Sequence, residues 1–92
     1  MKPEIKEGQI RTIRGYNNPV IVINKYNTCC FVDKNGRKRE NFPETTIHIP
    51  EYGYICCESM MSLDINNLGE CIGEVDASVV EEIKNKAINS LI

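Results

Sequence analysis

Ninety-two residues suffice for one domain with a single small core and exclude two independent ones. With 41% hydrophobic and 26% charged residues, the composition argues against a disordered chain, and no apolar run nears the roughly eighteen residues of a membrane span. The net charge of −2 argues mildly against a nucleic-acid partner until its distribution is read.

Residues 1–7 are too polar for a signal peptide, which predicts a cytosolic chain frayed up to Gly8. Residues 9–14 read as a first strand, in which Ile10 and Ile13 break period two, so a bulge or an irregular end is expected. The turn at 15–19 closes on Pro19, which biases Asn18 away from helical dihedrals. Val20, Ile21, Val22 and Ile23 are consecutive β-branched residues and predict a central strand covered on both faces. After a polar connector at 24–27, residues 28–33 give a third strand. Asn35-Gly36 is the strongest hairpin-turn dipeptide, with Arg37, Lys38, Arg39 and Glu40 returning from it. Phe42-Pro43 interrupts, and Thr45, Thr46, Ile47, His48 and Ile49 alternate well enough for a further strand before Pro50.

Tyr54, Ile55, Cys56 and Cys57 form a short apolar run of the kind buried inside a sheet, ended by Glu58. Met60, Met61 and Leu63 make a second apolar patch before the turn residues Asn66 and Asn67. Residues 68–75, with Gly69 and Gly73, predict a strand rather than a helix. Asp76 then offers a side-chain oxygen to cap a helix start. Val79, Val80, Ile83, Ala87, Ile88 and Leu91 recur at steps of three and four and fall on one face, with Glu82 and Lys86 as an exposed pair on the other. The whole predicts one mainly β, α+β domain over residues 1–92: a small curled, SH3-like or barrel sheet with a C-terminal α-helix.

Five cysteines are an odd count, two pairs of them are adjacent, and nothing targets export, so reduced thiols are expected. Neighbours on a strand point to opposite faces, so Cys29-Cys30 and Cys56-Cys57 could each supply only one ligand, and no metal or other cofactor is expected. Residues 1–42 hold nine Lys or Arg against four Asp or Glu, a local charge of +5, whereas residues 43–92 hold two against nine, a local charge of −7. A basic front half suits a phosphate-bearing ligand, although charge counted along a sequence also describes an unevenly charged solvated surface.

Cys57-Glu58-Ser59-Met60-Met61-Ser62-Leu63-Asp64, followed by Leu68-Gly69, Ile72-Gly73 and a terminal helix, resembles the end of the MazF/PemK family of toxin-antitoxin endoribonucleases. In the family that stretch reads apolar residue, Glu, Gln, Ile, Arg, Thr, Ile, Asp, and its arginine is Met61 here. The similarity continues in order through Glu7-Gly8-Gln9-Ile10, Asn18-Pro19-Val20-Ile21-Val22-Ile23-Asn24 and Phe42-Pro43-Glu44-Thr45-Thr46-Ile47-His48-Ile49. The resemblance implies a barrel-like sheet with helices, a homodimer, an antitoxin protein partner, and metal-independent, sequence-selective cleavage of single-stranded RNA. It departs where the family places its chemistry. The arginine before the proline is Asn18, and the third strand runs into Asp33-Lys34 without the threonine or serine.

Cleavage of a phosphodiester by the neighbouring 2′-hydroxyl needs a proton acceptor, a proton donor and a cation for the charged phosphorane. Arg14, four residues before Asn18, and His48, the sole imidazole, are the catalytic candidates, set against a plain reading of His48 as an exposed or hydrogen-bonded structural residue. Arg11, Asn18, Lys34, Arg37, Lys38 and Arg39 are the candidates for holding RNA, and Tyr16, Tyr26 and Phe31 for stacking on bases or for ordinary packing. Met60, Met61 and Leu63 are the candidate dimer interface. The alternative is a module that has lost cleavage and binds nucleic acid or a protein partner.

Overall fold

A computed structural model describes residues 5–35, 39 and 41–89. The expected turn at Gly36, the arm residues Arg37, Lys38 and Glu40, residues 1–4 of the expected frayed start and the helix residue Leu91 lie outside the described residues. The rest of that start is not frayed: Lys6 N donates to Gln9 Oε1 at 3.1 Å and buried Gly8 donates from its N to the Val22 carbonyl at 2.8 Å. Seven strands form an antiparallel sheet: β1 (Gln9–Ile13), β2 (Val20–Val22), β3 (Thr28–Asp33), β4 (Thr46–Ile49), β5 (Gly53–Cys56), β6 (Met61–Ser62) and β7 (Leu68–Glu74). One helix, α1 (Ala77–Asn89), follows. The strand order is β4-β5-β3-β2-β1-β7, with β6 pairing β3 beside β5. The mainly β architecture with a C-terminal helix is therefore as the sequence predicts. No described helix is long and apolar enough to cross a membrane.

Pairing fixes which residues share a face. Ile10 lies opposite Ile21, Ile21 opposite Cys30, Val32 opposite Ile55, and Ile55 opposite Ile47. With Ile23, Cys57, Val80 and Ile83 these make the main core, so this face looks toward α1. The opposite face holds a smaller cluster of Ile13, Val20, Val22 and Cys29, partly covered by Ile5, Phe31, Leu63 and Leu68. β2 is thus buried on both faces, because alternate β-branched residues feed separate cores. The expected irregularity in β1 is present: its register against β7 shifts between Ile10 and Arg11 and again between Arg11 and Ile13. The curl brings the β4–β5 turn onto β7, where Tyr52 Oη donates to the Ile72 carbonyl at 3.4 Å.

Three expectations are corrected. Residues 54–57 are not a uniformly buried run: Ile55 and Cys57 are fully buried while Tyr54 and Cys56 are only half-buried. Ile88 does not face the sheet and is 54% exposed. At about 3.6 residues per turn, five positions rotate it well away from Ile83, and Ala87 takes the inward place instead. Lys86 is drawn off the outer face, its Nζ donating to the Pro43 carbonyl at 3.3 Å, in the 3-10 turn Pro43–Thr45 that precedes β4. At the helix start the backbone carbonyl of Asp76 accepts from Val79 N at 2.9 Å and Val80 N at 3.3 Å.

Candidate functional site

Antiparallel pairing sends the β1–β2 loop, the end of β3 and the β4–β5 turn to one end of the sheet. There a cavity of about 500 Å³ is lined by Pro19, Lys34, His48, Pro50, Glu51, Tyr52, Gly53, Tyr54 and Ile72. His48 and Tyr54 are direct cross-strand partners on one face, and their rings stack with centroids 4.3 Å apart and planes 16° apart. Asp33 is the next partner of Tyr54, and its Oδ1 accepts from Asn35 N at 2.9 Å, which shapes the turn that carries Lys34. Gly53 makes the tight approach possible: its φ is +128° and an added Cβ would collide with the Asp33 carbonyl. Gly73 serves similarly, since a Cβ there would strike Tyr52 Oη. The cavity therefore gathers an ammonium, an imidazole, a carboxylate and two phenols, with Lys34, His48 and Glu51 exposed to solvent.

The other predicted site residues are dispersed. Arg14 lines a second cavity of about 450 Å³ with Thr12, Ile13, Leu68, Gly69 and Glu70, so the structure separates it from His48. Asn18 is half-buried beside Pro19, whose carbonyl accepts from Val32 N at 2.9 Å. Arg11 is only 3% exposed, donates from Nη1 to the Gly69 carbonyl at 3.3 Å, and leaves its buried Nε unpartnered; it presents no surface to a phosphate in solvent. Arg39 is committed within the fold. Its guanidinium pairs with both Glu58 carboxylate oxygens, donates from Nε to Thr46 Oγ1 at 3.0 Å and from Nη2 to the Thr45 carbonyl at 3.2 Å, and lies over the Phe42 ring at 5.2 Å. That hydrogen bonding raises the Arg39 pKa. Burial alone pushes the Glu58 carboxyl up, but the Arg39 hydrogen bonds and charge bring it below its ordinary value. Met60 and Met61 are each 38% exposed, while Leu63 packs under the smaller cluster.

Glu51, Tyr52 and Tyr54 were not singled out from the sequence as site residues. The available signal was Pro50-Glu51-Tyr52-Gly53, turn-type residues between two alternating runs, which marks a hairpin whose tip side chains gather at one end. The thiols of Cys29, Cys30 and Cys57 belong to packing, while Cys71 is exposed: burial pushes Cys30 up to about 12 and Cys29 and Cys57 up to about 11, and half-buried Cys56 is also raised. Among the described residues no group of three or more His, Cys, Asp or Glu side chains is placed to hold a metal ion.

Neither a protein-family model nor a curated protein sequence matches the chain. Among solved structures, one chain of "Endoribonuclease in complex with its cognate antitoxin from Mycobacterial species" is similar over 96% of this chain and 95% of its own length, with a TM-score of 0.69 and 20% identity. At that identity the likeness is one of fold.

Proposed function

We propose that the protein is an endoribonuclease of the toxin type that cleaves single-stranded RNA at the cavity formed by Lys34, His48 and Tyr54. The observation that carries the reading is the convergence of an exposed imidazole and an exposed ammonium in one cavity beside an aromatic ring. A fold shared with a chain from an endoribonuclease–antitoxin complex supports it. Neutral His48 accepts the proton of the 2′-hydroxyl as its oxygen attacks phosphorus. Lys34 holds the non-bridging oxygens as charge accumulates on them. The bond to the 5′-oxygen breaks, that oxygen leaves with a proton from the solvent open to the cavity, and the products are a 2′,3′-cyclic phosphate and a 5′-hydroxyl. Arg14, in its separate cavity, contacts a flanking phosphate, so Arg14→Ala raises KM more than it lowers kcat.

Incubation of purified protein with a long single-stranded RNA in EDTA tests this directly. Discrete fragments with cyclic-phosphate ends are expected, and His48→Gln should slow their formation about 10²- to 10⁴-fold. Intact RNA with measurable binding would instead support the second reading, a module that has lost cleavage. Asn18 and Asp33-Lys34, which stand where the resembling family has its arginine and its threonine or serine, favour that alternative. Exposed Met60 and Met61 suit self-association or an antitoxin-like protein partner. A sedimentation run showing only monomer at tens of micromolar, a concentration suited to about −6 kcal/mol of association, would remove the homodimer from this reading.

A further inference from the structure

We propose that Tyr16 and Phe31 form a base-stacking step beside the His48–Tyr54 pair, so that the site takes an unpaired RNA strand extending beyond the scissile phosphate. The inference rests on the ribonuclease reading and adds a determinant of substrate length to it. Tyr16 is 65% exposed, yet its ring sits 6.2 Å from that of Phe31 at 51°, a tilted aromatic pair rather than a lone surface tyrosine. Phe31 is held from beneath: it packs on the smaller cluster, and its backbone N donates to Ser59 Oγ at 3.1 Å. Phe31 is therefore fixed by packing before any ligand arrives, which lowers the ordering cost of binding.

Strand register places Phe31 on the face of the His48–Tyr54 pair, and Tyr16 joins it through its ring contact with Phe31. His48 pairs with Tyr54 and Tyr54 with Asp33, and Phe31 stands two residues from Asp33 on the same strand. Diagonal neighbours on adjacent strands are about 7–8 Å apart, within reach of neighbouring unstacked bases. Arg14, two residues before Tyr16 in the chain, and Lys34, just past β3, are both exposed, and their positive charge suits a phosphate-bearing strand. Two carboxylates stand beside this face, Asp33, whose Oδ1 accepts from Asn35 N, and the exposed Glu51 of the cavity lining. A sheet face carrying aromatic side chains between basic residues is a recurrent way to bind single-stranded RNA with little demand on base identity.

The test measures fluorescence anisotropy with a non-cleavable 2′-O-methyl hexanucleotide and, separately, with the corresponding dinucleotide. Tyr16→Ala should weaken hexanucleotide binding roughly five- to hundredfold, with a markedly smaller loss on the dinucleotide. Tyr16→Phe should recover most of the loss, and Ile88→Ala, on the helix side of the sheet and 54% exposed, should have no effect. Equal losses on both ligands, no loss on either, or a Tyr16→Phe variant as weak as Tyr16→Ala would each overturn the stacking step. So would absence of hexanucleotide binding by the unmodified protein. Tyr16-dependent binding without any cleavage of 2′-hydroxyl RNA keeps the step and removes the ribonuclease, whereas cleavage indifferent to Tyr16 does the reverse.

Discussion

On the helix side of the sheet, Ile21, Val32 and Ile55 are fully buried against Val80 and Ile83, whereas one residue along the same strands Phe31 and Tyr54 are only half-buried and His48 on β4 is exposed. The opposite face closes over β1, β2 and the start of β3, where Ile5, Leu63 and Leu68 cover Ile13, Val20, Val22 and Cys29. Because successive side chains alternate, a single strand can devote one parity to stability and the other to ligands. In this small domain β5, and β3 beyond Cys29, bury one parity and leave the other half-buried, and on β4 the second parity reaches solvent at His48.

Substitutions on the helix side should cost stability, and those on the open side should cost binding. The largest stability effect is expected at Ile83→Ala, about 2–5 kcal/mol by urea denaturation, since the side chain is fully buried and leaves a cavity. A comparable loss at His48→Ala would break the division between faces.

An alkaline limb should follow from the buried thiols. The folded pKa of Cys30, about 12, exceeds its ordinary 9.0, so its contribution is complete below pH 9 and is lost as pH rises toward 12. Cys30→Val should flatten that limb in denaturation curves recorded across this interval.

Arg39→Ala should cost roughly 1–2 kcal/mol, reduced from a buried-pair value because Glu58 is about one-third exposed. Arg39→Lys should recover little, because an ammonium cannot satisfy both carboxylate oxygens and two threonines. The same pair sets an acid response. Glu58 has a folded pKa below its unfolded value near 4.5, so its contribution is present above that pH and fades as pH falls through the folded value. The parent and Glu58→Gln should therefore differ in stability above about pH 4.5 and converge as pH falls through the folded value. The smallest effect belongs to Ile88→Ala, within about 0.5 kcal/mol, because that side chain is more than half exposed. A cost near that of Ile83→Ala would return Ile88 to a buried face.

The sequence alone placed six of the seven described strands and the helix in order, with Met61–Ser62 read only as an apolar patch. It carried the doubly buried β2, the irregular β1 and a helix packed through Val80 and Ile83, because alternation, β-branching and helical spacing act within a few residues. It also supplied His48 and Lys34 as candidates by their chemistry. It did not determine that these two share a cavity while Arg14 lies in another, or that Arg39 is spent on Glu58 nineteen residues away. Those outcomes depend on strand order and on the curl that brings Tyr52 to β7, and no local pattern encodes which strand ends meet. Ile88 shows the same boundary at short range: steps of three, four and five look alike in a list of apolar residues, and only docking of α1 on Ile21 and Ile55 chose the stripe through Ala87. The division of labour between the two faces was written in residue parity, but the helix had to land on one face before the other could be left open.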